Sequence, residues 1–308
     1  MKNIKKVAVI GAGAVGSTLG QRIIESGLAD VVLVDILKNI AAGKALDLLD
    51  ASPVVGHDRS IVGTDDYSAI KGSDVVVVTA GLPRKPGMTR EELIAKNASI
   101  VKAVSENIKI HAPSAILIIV TNPLDVMTYL ALKTTGFNFK KVLGMAGALD
   151  GSRMAYLIAD ELKVKRSSVE TLVLGSHGDT MVPVLSKTFV SGKPVAGLIA
   201  KDKLDGIVKR TCDRGAEIVA LLGTGSAFYS PSAAVFEILK AIDGDIKQTI
   251  AVSVYLSGEY GLEGVCIGVP CVIGKTGVEK IIEIELSKEE KEAFLRSARA
   301  IKSSIDLL

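Results

Sequence analysis

The chain is poor in residues that would cross-link it or anchor it in lipid. It has three cysteines in 308 residues, Cys212, Cys266 and Cys271. An odd count argues against a disulfide framework and fits a reducing compartment. Cys266 and Cys271 stand in an apolar segment with no histidine nearby, which reads as buried thiols rather than a metal site. Hydrophobic residues make up 48% of the chain, yet no apolar run approaches the roughly 20 residues that span a bilayer. The run after Lys2, Lys5 and Lys6 is too short for a signal peptide and leads straight into a glycine turn. The net charge is only +3 and is not gathered into blocks, and RRM, KH and zinc-finger signatures are missing, so nothing argues for nucleic acid. Internal repeats and low-complexity linkers are also missing. The expectation is a cytoplasmic protein with no metal, membrane or nucleic-acid partner, long enough for two domains.

What is present starts at Lys5. Residues 5–10 (KKVAVI) form a short β-branched run, followed at once by Gly11-Ala12-Gly13-Ala14-Val15-Gly16. A helix-like segment runs from Ser17 to Ser26, and a second apolar run, Val31 to Val34, ends in Asp35. The order is therefore strand, glycine turn, helix, strand, acid. Gly11 permits the tight turn, Gly13 lets a pyrophosphate approach the backbone at the positive end of the helix, and Gly16 lets that helix pack on its strand. A carboxylate at Asp35 would accept hydrogen bonds from an adenosine ribose and repel a 2′-phosphate. The stretch predicts a dinucleotide site for NAD rather than NADP.

Strand and helix patterns alternate through the first half, the mark of a parallel sheet. Helices are expected over 38–50, from Thr89 (opening a capping box with Glu92) to about Ile110, and from Asn122-Pro123 to about Lys133. Strands are expected at 61–62, 74–79, 115–120 and 142–143. The composition changes around 144–151, which places a domain boundary there. The second half reads as a helix over 150–162, a strand over 169–174 and a hairpin near 188–194. Helices follow over 202–222 and 231–242, then strands near 249–256, 265–273 and 278–284. A last helix is capped by Ser287 and Glu290, with Phe294, Ala298, Ile301 and Ile305 on one stripe. The fold class is α/β: a Rossmann-type doubly wound parallel sheet over 1–145, followed by an α+β domain over 146–308.

Only three histidines are available as a general base: His57, His111 and His177. His177 lies between two glycines after a strand of the second domain, where function tends to sit on a rigid scaffold. A histidine base needs a carboxylate to fix its tautomer, and both Asp179 and Asp150 qualify. Asp150 shares a helix face with Arg153 at i+3. The loop over 81–89 carries Arg84, and Arg90 follows it. Prolines and glycines there suit a lid, and an arginine fork suits a carboxylate.

The motifs GAGAVG (11–16), VLVDI (32–36), TAGLPRKPGMTR (79–90), VTNPLDVMT (120–128), GALDGSRM (147–154) and GSHGDTMVP (175–183) come in an order that resembles the lactate/malate dehydrogenase superfamily across essentially the whole chain. The likeness is greatest to its malate dehydrogenases of lactate-dehydrogenase-like type. The resemblance implies NAD as cofactor and a small dicarboxylate, malate or oxaloacetate, as substrate. It implies that Asn97, Val120, Thr121 and Asn122 line the nicotinamide side, and that Asn122 also meets the substrate oxygen. Arg153 would clamp the carboxylate beside the reacting carbon, and Arg90 would polarise the carbonyl. His177 would exchange the proton, paired with Asp150 rather than Asp179. Arg84 would hold the second carboxylate, at a place where lactate enzymes carry a neutral glutamine. Residues 223–230 (GTGSAFYS) resemble the pocket floor of the malate enzymes. The resemblance further implies a homodimer or homotetramer, pairing through the helix that carries Ile40, Leu46, Leu48 and Leu49. The alternatives are a lactate or broad 2-hydroxyacid dehydrogenase and a non-catalytic NAD-binding redox module.

Overall fold

The structure, a computed structural model, describes residues 3–83 and 88–308, with Arg90 described in its main chain only. The first half builds strands β1 (Lys6–Ile10), β2 (Asp30–Val34), β3 (Ile61–Thr64), β4 (Val75–Val78), β5 (Ile116–Ile119) and β6 (Val142–Gly144). Between them run α1 (Ala14–Glu25), α2 (Lys38–Val55), α3 (Arg90–His111) and α4 (Leu124–Thr135). The strands lie in the order β3-β2-β1-β4-β5-β6 and pair in parallel. Both β4 (VVVV) and β5 (ILII) are buried at every residue, as strands covered by helices on both faces must be. The strand order reverses between β1 and β4, and the crevice beyond their carboxyl ends is where such sheets take ligands.

The second half contributes α5 (Gly147–Leu162), β7 (Val169–Glu170), β8 (Val173–Gly175), β9 (Met181–Pro183), β10 (Phe189–Val190) and β11 (Lys193–Pro194). It continues with α6 (Lys201–Leu222), α7 (Tyr229–Gly244), β12 (Gln248–Ser257), β13 (Glu263–Gly274), β14 (Gly277–Ile281) and α8 (Lys288–Ile305). Its long strands do not form a sheet of their own. Ser253 of β12 pairs with Gly144 of β6, and β13, β8 and β9 extend the same sheet antiparallel, with β14 on β13. The sheet thus runs from the nucleotide side to the far side without a break.

Two local features depart from the sequence reading. The stretch 169–174, expected as one strand, splits. β7 joins β10 and β11 in a small separate sheet, and β8 joins the large one. Between them Thr171 donates its hydroxyl to the Gly151 carbonyl at 2.8 Å, so the chain crosses from one sheet to the other against α5. Helix α2 runs on to Val55 with Pro53 in its last turn. The proline has no N–H for the Leu49 carbonyl, and the Ser52 hydroxyl bonds that carbonyl instead, at 2.7 Å. Both expected capping boxes form, Thr89 with Glu92 and Ser287 with Glu290. The α8 stripe docks with Phe294, Ala298 and Ile301 buried.

Candidate active site

The glycine turn closes the carboxyl end of β1. Gly11 has φ +106°, and a Cβ there would meet Thr79 Oγ1 at 2.7 Å. At Gly16 a Cβ would lie 1.9 Å from the Gly11 carbonyl oxygen, so the α1 contact admits only glycine. Gly13 is different. It is the N-cap of α1, and a Cβ there would meet open space. The first turn, with Ala14 and Val15, has neither an acidic residue nor a side-chain cap, so its leading amides face that space unpaired. Asp35 ends β2 with both oxygens fixed. Oδ2 accepts the Ala12 N–H at 2.7 Å and Oδ1 accepts the Leu37 N–H at 2.9 Å. Lys44, from α2, donates to the Ala12 carbonyl at 2.7 Å and braces the turn from outside. Unpaired amides at a helix start, room for a close backbone approach and a fixed carboxylate fit the pyrophosphate and ribose of a dinucleotide.

Across the crevice, Asn97 is buried and spends its side chain on main-chain partners. Oδ1 accepts from Leu82 N at 2.8 Å, and Nδ2 donates to the carbonyls of Leu82 (3.1 Å) and Asn122 (2.7 Å). It braces the base of the 79–90 loop against the strand end carrying Val120, Thr121 and Asn122. Thr121 donates its hydroxyl to the Ala80 carbonyl at 2.7 Å, so the two loops are joined twice. Asn122 itself is exposed. Arg84 lies outside the described residues, as does the side chain of Arg90, the first residue of α3.

The second half supplies the charged groups. His177 follows β8, and its Nδ1 lies 2.8 Å from Asp150 Oδ2 on α5. Asp150 is 1% exposed, and its other oxygen lies 3.4 Å from Arg153 Nη1, one helical turn on. Asp179, the other candidate partner, is exposed. Burial alone would lower the pKa of His177. The Asp150 carboxylate outweighs it, by charge and by hydrogen bond, and the net shift is upward. Burial lowers the pKa of Arg153, Asp150 pulls it back up, and the neighbouring Arg214 adds to the lowering. Arg153 Nε is buried without a partner. The remaining histidines sit elsewhere: His57 precedes β3 and His111 ends α3 before β5, both at the opposite edge of the parallel sheet. Cys266 and Cys271 are free, buried thiols on β13.

One participant was not singled out from the sequence. Asp125, in the first turn of α4, is 4% exposed, and its Oδ2 accepts the backbone N–H of His177 at 2.8 Å. The available signal was an acid set among Leu124, Val126 and Met127 in an otherwise apolar helix start.

A doubly wound sheet with this turn at its switch point, joined to a half-buried histidine on a buried carboxylate, defines a nucleotide-dependent oxidoreductase. The sequence comparisons narrow the class. Residues 5–144 match the NAD binding domain of lactate/malate dehydrogenase, and residues 147–308 match its alpha/beta C-terminal domain. The chain belongs to the lactate/malate dehydrogenase family. It is 48% identical to a malate dehydrogenase of Methanosarcina barkeri, over 98% of this chain and 99% of that one. It is 49% identical to a malate dehydrogenase of Thermomicrobium roseum, over 99% and 98%. A Cryptosporidium parvum malate dehydrogenase superposes with a TM-score of 0.96 at 40% identity, covering 98% of each chain. A lactate dehydrogenase of Cryptosporidium parvum, complexed with lactic acid and nicotinamide adenine dinucleotide, also gives 0.96, at 39% identity over 100% of this chain and 98% of that one. The two superpose equally well, so the overall backbone does not separate the two activities.

Proposed function

We propose that the chain is an NAD-dependent malate dehydrogenase interconverting malate and oxaloacetate, with residues 1–145 holding the nucleotide and 146–308 the substrate. The observation that carries the chemistry is the His177 Nδ1 to Asp150 contact at 2.8 Å beside Arg153. A carboxylate on Nδ1 keeps the proton there and leaves Nε2 as the acceptor. Gly11 to Gly16 and Asp35 would hold the pyrophosphate and adenosine ribose, with Asn97 and Val120 to Asn122 on the nicotinamide side. Bound NAD supplies the hydride acceptor for malate and, as NADH, the donor for oxaloacetate. The chain does the rest. Arg153 binds the carboxylate next to the reacting carbon, and its buried charge makes an anionic partner favourable. In malate oxidation His177 takes the hydroxyl proton through Nε2, while Asp150 stabilises the imidazolium. In reduction the imidazolium returns that proton to the carbonyl oxygen, which Arg90 polarises, and Asn122 meets the same oxygen. Arg84 binds the second carboxylate. Pyruvate would leave that cation unpaired.

Exposed Ile40, Leu46 and Val54 on α2, with Ile36 and Leu37 just before it, support a homo-oligomer built on this helix, a dimer or tetramer. Among the described residues no helix is long and apolar enough to cross a membrane, and the reading remains cytoplasmic.

The test is the oxidation of NADH by the purified protein with oxaloacetate or pyruvate. The expected preference for oxaloacetate in kcat/KM is about 10²-fold or more. Equal rates would favour the broad 2-hydroxyacid reading. NADH binding without turnover of either acid would favour a non-catalytic module.

A further inference from the structure

Among the described residues two acids, Asp150 and Asp125, are almost wholly buried, and the chemistry above uses only the first. Asp125 sits in the first turn of α4, where leading amides and the helix dipole favour a negative charge. Its partner, the main-chain N–H of His177, belongs to the other half of the chain. The foot of the same helix carries Asn122, whose carbonyl is held by Asn97. One helix start therefore fixes a residue on the nicotinamide side and the backbone of the proposed base.

The place is costly for an anion. Burial pushes the Asp125 acid up to about 6, against the hydrogen bonds from Ser253 and the His177 N–H that pull it down. Its second oxygen and the Ser253 hydroxyl are both buried, and neither completes a hydrogen bond of good geometry, although they are close enough to interact. The groups facing Asp125 are His177 beyond β8, Asp150 on α5, Ser253 on β12 and the Cys266 thiol on β13. A neutral side chain could make the same bond to His177 N–H without burying a charge, so the charge itself needs a reason.

We propose that Asp125 is a positioning residue: it ties the His177 main chain to the nucleotide-binding half and places a buried carboxylate beside the proposed base. This rests on the reading of His177 as the base. Asp150 does most to raise the pKa of His177, and the Asp125 charge adds a smaller push in the same direction. Asp125→Asn keeps an oxygen for the His177 N–H and removes the charge. Asp125→Ala removes both.

The experiment is an NMR titration of the imidazoles in the NADH-bound, 15N-labelled full chain, with the three histidines assigned through variants of His57 and His111. Parallel measurements give NADH affinity and kcat for oxaloacetate reduction. In Asp125→Asn the His177 midpoint should fall measurably, with NADH affinity unchanged. In Asp125→Ala, kcat should fall further than in Asp125→Asn, by about 10- to 100-fold from wild type. An unmoved His177 midpoint in Asp125→Asn overturns the proposal whatever the alanine variant does. A wild-type protein that fails to reduce oxaloacetate refutes the proposed function instead, and leaves the comparison of midpoints standing.

Discussion

Asp35, just past β2, and Asp150, on α5, are both carboxylates, yet their partners differ. Asp35 meets two main-chain amides, Ala12 and Leu37, and across from it Asn97 and Thr121 spend their side chains on main-chain groups. That end is a frame of backbone around open space. Asp150 instead meets two side chains that can carry charge, His177 and Arg153, and Arg153 keeps a buried, unpartnered Nε. At the first end the side chains are already paired and only the α1 amides stay open for a ligand; the second end holds charge that a ligand must complete. On the proposed reading, nucleotide binding falls to the first half and proton exchange to the second, and substitutions at those two places should separate.

The largest separation is expected at His177. His177→Asn should leave NADH affinity within about twofold while kcat falls by about 10²- to 10⁴-fold. Fluorescence titration and single-turnover kinetics read the two quantities separately, and a parallel loss of both would erase the contrast between halves. Arg84→Gln tests the loop that the nucleotide half lends to the substrate half. The oxaloacetate-to-pyruvate ratio of kcat/KM should narrow by about 10²-fold, and an unchanged ratio would remove Arg84 as the selector. Asp35→Ser is the gentlest probe. It should weaken the preference for NADH over NADPH by about tenfold without altering the choice between oxaloacetate and pyruvate. An altered acid preference would show that the two ends are coupled.

The fold of the nucleotide end was legible because its elements lie in one contiguous stretch. Residues 5–35 carry their own turn, helix start and acid, and each role is local. Capping boxes and the α8 stripe were legible for the same reason. The split of 169–174 was not, because what divides it is Thr171 bonding to Gly151 of α5, a tertiary contact. The residues alone left both Asp150 and Asp179 open as the partner of His177. Only the packing of α5 against the end of β8 buries one and leaves the other at the surface. Asp125 was missed because an acid in a first helical turn is an ordinary capping feature, and its link to His177 crosses from one half of the chain to the other.

The central claim is that His177, held by Asp150, carries the transferred proton. The most direct measurement is the pH dependence of kcat/KM for oxaloacetate reduction and malate oxidation on the same protein. Reduction needs the imidazolium, so it should be full at low pH and decline through a midpoint above the ordinary histidine value of 6.5, because the net shift at His177 is upward. Oxidation needs the neutral ring and should rise with pH. Mirror-image profiles, both absent from His177→Asn, are the predicted result. Profiles that run in the same direction, or that survive the substitution, would contradict the account.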